Sequence, residues 1–130
     1  MLKEKDYCDY DTCVALKELG YVGSSRYYYT QQDRKFHYDA YNKFYTVRTA
    51  DAMGYVLAIH LYEAQKWLRK EKHLHIEITY SPSCWTGKIY DLKEWDYIKG
   101  FTFFESFEDA LHTLIKEAVK ILKENETIHE

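Results

Sequence analysis

The stretch Leu61–Tyr80, LYEAQKWLRKEKHLHIEITY, changes its hydrophobic period partway, and the rest of the chain must fold around that change. Leu61, Ala64 and Leu68 are spaced by three and four, with Trp67 beside them, which predicts one apolar helix face. Glu63, Lys66, Arg69 and Lys70 fall mostly on the other side. Glu63 and Lys66 stand at i, i+3 with the acid N-terminal, the favoured orientation. Arg69, Lys70 and Lys72 crowd the last turn, where cations complement the carbonyl end of the helix dipole. From His73 the period becomes two: His73, His75, Glu77 and Thr79 alternate with Leu74, Ile76, Ile78 and Tyr80, the pattern of a strand with one apolar face. Apolar spacing also runs back through Leu57 and Met53, and a single helix capped by Thr49 and ending at Glu71 would satisfy it. Gly54 favours a break instead, so we read Tyr55–Ile59 as extended and start the helix near His60.

Flanking segments supply further elements. Asp9–Leu19 predicts a short helix, with Asp9 or Asp11 favouring its start and Gly20 its end. Arg26–Thr30 predicts a strand through Tyr27, Tyr28 and Tyr29, and Phe36–Arg48 one or two more, with an interruption at Asn42-Lys43. Ser81-Pro82-Ser83 predicts a turn, Cys84–Leu92 the returning strand with Gly87 as a bulge position, and Phe101–Phe104 a last strand. Ser106 caps a final helix whose apolar face is Leu111, Leu114, Ile115, Ala118, Val119 and Leu122. Residues 1–8 and 125–130 are charged ends expected to fray. The expectation is one two-layer α+β domain spanning 1–130, an antiparallel sheet with helices packed on it, in the order α-β-β-(β)-α-β-β-(β)-α. A Gly-rich strand-to-helix turn is missing from the sequence, so a dinucleotide fold has no support.

Composition narrows function by exclusion. A net charge of −3 gives no global reason to bind nucleic acid or anionic membrane. The apolar runs are far shorter than the roughly 20 residues of a spanning helix, and the start MLKEKDYCDYD lacks a signal-peptide core, so a cytoplasmic setting is expected. Cys8, Cys13 and Cys84 are an odd, sparse set that reads as reduced thiols. The unusual quantity is 14 tyrosines, a residue suited both to half-buried strands and to binding surfaces.

The segments YDTCVALKELGY, RYYYT, AIHLYEAQKWLRKEKHL and FESFEDALHTLIKEAVKIL, taken in this order, resemble a group of small uncharacterised proteins of Bacteroides-type gut bacteria and their phages and prophages. Ala58, Leu61, Ala64, Trp67, Leu68 and Arg69 carry the resemblance most clearly, and Ile59 departs from the proline common at that point. The resemblance implies a compact α+β domain and a mobile-element setting; it implies no activity, ligand or catalytic residue.

Candidate sites are few. His73, His75 and Glu77 would share a strand face and could supply metal donors, against the plain reading of a solvated face. Cys84 is a candidate nucleophile, set against the ordinary inert thiol; Cys8 and Cys13 do not match a zinc spacing. His60 and Trp67 read as core residues of the central helix, Trp67 as its largest anchor. Helix, hairpin, strand and helix from Leu61 to Lys123 superficially resemble a double-stranded RNA-binding module. That module needs cations at the start of its last helix, where this chain has Glu105, Glu108 and Asp109. Those acids have a sufficient explanation in the helix dipole. A different surface, Lys66, Arg69, Lys70 and Lys72 with Tyr27, Tyr28 and Tyr29 as stacking platforms, is the nucleic-acid alternative. The leading expectation is a non-enzymatic domain without cofactor or metal that binds another protein, with self-association through an edge strand as one form.

Overall fold

A computed structural model describes residues 4–39, 41 and 43–129, with side chains through 126. The class is α+β with antiparallel sheets. The strands form three small sheets, where the sequence suggested one, and the contacts gather into two compact units, Met1–His60 and Leu61–Glu130.

In the first unit, a 3-10 turn at Glu4–Asp6 leads into helix α1 (Tyr10–Glu18). The Asp9 carboxylate caps α1 by accepting from the Thr12 amide, and Gly20, at φ 104°, ends it as expected. Residues 4–8 hold a 3-10 turn and a contact with the chain near Ile59. The Cys8 amide donates to the Ile59 carbonyl at 2.8 Å, and Cys8 is fully buried. Strands β1 (Ser24–Ser25), β2 (Tyr27–Thr30), β3 (Phe36–Tyr38) and β4 (Tyr45–Thr46) follow, the expected interruption at Asn42 lying outside the described residues. Helix α2 (Val47–Ala52) occupies residues that the sequence assigned partly to a strand. Its six residues are too few to show an apolar repeat. They are held by a capping box in which the Thr46 hydroxyl accepts from the Thr49 amide and the Thr49 hydroxyl from the Thr46 amide. Thr49, considered above as a cap, is thus the third helical residue, and the cap is Thr46. We expect Thr46→Ala to destabilise the chain by about 0.5–2 kcal/mol in urea denaturation, and an unchanged midpoint would rule out a stabilising cap.

Gly54, at φ 78°, separates α2 from β5 (Tyr55–Leu57), so the shorter central helix is the one formed. Sheet order is β3-β2-β5, with β1 paired to β4. Tyr28 stands opposite both His37 and Leu57, and Tyr29 opposite Phe36 and Val56.

The second unit opens with α3 (Leu61–Glu71), whose buried residues are Leu61, Ala64 and Leu68. Trp67 is half-buried with the Lys72 ammonium 5.5 Å over its ring, so it is a flank of the helix and not its core anchor. Strands β6 (Leu74–Ser81), β7 (Cys84–Asp91) and β8 (Asp96–Phe104) form an antiparallel meander. Helix α4 (Phe107–His129) is capped by Ser106. Both helices pack on the sheet face of Leu74, Ile76 and Ile89. Gln65 donates to the Ile76 carbonyl at 3.0 Å, and Lys99 pairs with Glu117 at 2.6 Å. Gly87 is not the bulged residue: it pairs with Phe101, and the extra residue lies on β8 between Phe101 and Phe104. Its role is close approach, because a Cβ there would lie 2.6 Å from the Leu114 side chain.

Candidate functional site

The surface that stands out is built where α3 and α4 both begin. Tyr62, in the first turn of α3, lies 6.0 Å from Phe107, the first residue of α4. Phe107 meets Trp85 of β7 edge-on at 5.6 Å, and Trp85 meets Tyr80 of β6 at 4.9 Å. Each ring is placed by a different element. Leu61 and Ala64 bury one side of α3, which turns Tyr62 outward. The tight Pro82-Ser83 connection sets Tyr80 opposite Trp85. Ser106, through its hydroxyl on the Asp109 amide, fixes where α4 starts and hence where Phe107 points. The two ends of the run are open, Tyr62 at 53% and Tyr80 at 61% exposure, and Phe103 is 83% exposed at the same end of the sheet, at φ 68°. Glu63, Glu105 and Asp109 are exposed around the rings and Glu108 half-buried.

No family model matches the chain. No curated protein and no solved structure matches it significantly either. The chemistry of its own surfaces therefore carries the functional argument.

His73, His75 and Glu77 are not grouped as a set of three metal donors. His73 precedes β6 at φ 59°, so it stands outside the alternation that would have aligned it with His75. His75 stacks on Tyr90 at 6.4 Å, and Glu77 stands opposite Lys88. Among the described residues no three His, Cys, Asp or Glu side chains are grouped to hold a metal. Cys84, half-buried at the start of β7, has the Ser81 hydroxyl 3.3 Å from its sulfur. Cys8 and Cys13 are buried together; their mutual side-chain hydrogen bond and burial push the Cys8 thiol well above its ordinary value, which keeps it protonated and inert. His60 lies just before α3, bridged to Tyr7, with the two rings 5.1 Å apart.

The three consecutive tyrosines are packed. Tyr29 is buried, its hydroxyl donating to the Cys8 carbonyl at 2.7 Å. Tyr28 stacks on Tyr55 at 4.0 Å, and Tyr27 lies parallel to Phe36 at 5.7 Å. These rings belong to the first unit, whereas Lys66, Arg69, Lys70 and Lys72 belong to the second. Lys66 and Lys70 are exposed, and Arg69 and Lys72 half-buried. Strand β8 forms one edge of its sheet and leaves Tyr97 and Ile98 exposed, with Trp95 in the turn before it. Lys99 and two register shifts against β7 are features that oppose continuing the ladder into another chain. An open depression of about 750 Å³ beside α2, lined by Val22, Ser24, Val47 and Arg48 among others, brings no reactive group together. Among the described residues, no helix is long and apolar enough to cross a membrane.

Residue-type reasoning missed the aromatic end because Tyr62, Tyr80, Trp85 and Phe107 are far apart in sequence. The available signal was the helix–hairpin–strand–helix order, which returns the second helix start to the first.

Proposed function

We propose that the chain is a non-enzymatic interaction domain that docks a protein partner on the aromatic end of its second unit. One observation carries this reading: the Tyr62–Phe107–Trp85–Tyr80 run of ring contacts, its two end rings more than half exposed, with exposed Phe103 at the same end of the sheet. Clustered exposed rings cost solvation and are characteristic of interface centres, where Tyr and Trp contribute most per residue. A cytoplasmic, phage-derived or mobile-element setting belongs to the same proposal and rests on the sequence alone.

The alternative, nucleic acid bound by Lys66, Arg69, Lys70 and Lys72 with the tyrosine strands, needs open rings beside those cations. The packing of Tyr27, Tyr28 and Tyr29 on neighbouring groups does not favour it.

The test is site-specific photo-crosslinking in cells that naturally make the protein, with benzoylphenylalanine at Phe103 and, as a control, at Val22. We expect a discrete adduct from Phe103 that disappears when Tyr62 and Tyr80 are alanine. An adduct of twice the chain mass would identify the partner as a second copy. Equal adducts from both positions, or none from Phe103, would reject the reading.

A further inference from the structure

We infer that the partner segment on this surface is cationic: an amphipathic stretch of protein carrying Lys or Arg beside apolar side chains. The inference rests on the docking reading above and adds the chemistry of the occupant. Three segments build the aromatic end: Leu61–Ala64, Tyr80–Trp85 and Phe101–Ala110. Together they hold Glu63, Glu105, Glu108 and Asp109, and no Lys, Arg or His. The first cations farther along α3, β7, β8 and α4 are Lys66, Lys88, Lys99 and Lys116, and Lys99 is already paired with Glu117. An apolar centre with a rim of one sign selects an occupant of the opposite sign and speeds its approach. The rings add to this, because a guanidinium or ammonium over an aromatic face is attracted by its quadrupole. The chain uses that contact elsewhere, with Arg34 5.0 Å over Tyr10 and Lys43 5.1 Å over Tyr45. The three segments themselves supply rings and carboxylates and no cation; Lys99, just outside them, lies 5.5 Å over the Phe101 ring. Phosphate would meet the four carboxylates, so nucleic acid is the wrong occupant here.

The experiment selects a random short-peptide library against the full chain and, in parallel, against Tyr62→Ala/Tyr80→Ala. Both side chains are exposed, and far-UV circular dichroism with a thermal melt checks that the variant is folded. Peptides retained by the native chain alone are synthesised and titrated by fluorescence anisotropy. We expect Lys and Arg to outnumber Asp and Glu in them. We also expect affinity to fall about tenfold in Glu105→Gln/Asp109→Gln and to weaken with salt. Ring-dependent peptides that are neutral or acidic would overturn the cationic inference and leave the docking reading intact. A selection in which no peptide depends on the rings would overturn both. Labelled single-stranded DNA or double-stranded RNA binding that Tyr62→Ala/Tyr80→Ala weakens would overturn both in favour of nucleic acid.

Discussion

Leu114→Ala is expected to destabilise the chain by about 2–5 kcal/mol, and Gly87→Ala by about 1–3 kcal/mol, with the double variant costing less than their sum. Leu114 is fully buried, so truncation leaves a cavity under the sheet. Gly87 sits under it: an added Cβ would lie 2.6 Å from one Leu114 methyl carbon and 2.9 Å from its Cγ, too close without a shift. Removing Leu114 beyond its Cβ clears that space, so each substitution relieves part of the other. Urea denaturation of the four proteins closes the cycle. Strict additivity would mean that Gly87 is required for some reason other than helix approach.

A second large effect is expected at Tyr29. Tyr29→Phe removes a buried donor from the Cys8 carbonyl and should cost about 1–3 kcal/mol. Tyr29→Ala, which also empties a site packed against Tyr10 and Phe36, should cost about 3–5 kcal/mol. The same burial makes stability sensitive to alkali. Burial, with smaller contributions from nearby acidic groups, pushes Tyr7 up to about 12. Burial first, then the Tyr55 hydrogen bond, pushes Tyr28 up to about 12, and burial raises Tyr29 further. An unfolded phenol ionises near pH 10, so above about pH 10 the unfolded chain releases protons that the folded chain still holds. The stabilisation is therefore complete below about pH 10 and is lost as pH rises towards and beyond 12. Urea midpoints at about pH 9 and pH 11 should fall steeply in the native chain and less steeply in Tyr29→Phe. Equal slopes would show that Tyr29 ionises alike in both states.

Regular periods made α3, β6, the β6–β7 hairpin and α4 legible in the sequence, because in each a buried stripe repeats long enough to be counted. Helix α2 was not legible: Thr46 and Thr49 hold it through hydrogen bonds, and a side-chain pair leaves no repeat. Nor was the boundary at His60, where buried Ala58, Ile59 and Leu61 run through without a polar linker to mark the change of unit. Tyrosine content was conspicuous, but composition does not say which rings close on each other. Tyr27, Tyr28 and Tyr29 turned inward to neighbours, while Tyr62 and Tyr80 were aligned only by the topology. The period-two pattern does not reveal that β6 begins at Leu74, one residue after His73, whose backbone is left-handed.

Because Tyr62 lies against Phe107, the two helices begin side by side, and their amide ends direct two partial positive charges to one end of the unit. Glu63, Glu108 and Asp109 occupy those first turns. Exchanging any of them for a cation would set it against a helix start, at about 0.3–1 kcal/mol each. The acidic character of this surface is therefore tied to the architecture beneath it: substitutions can reshape its rings more readily than they can reverse the sign of its charge.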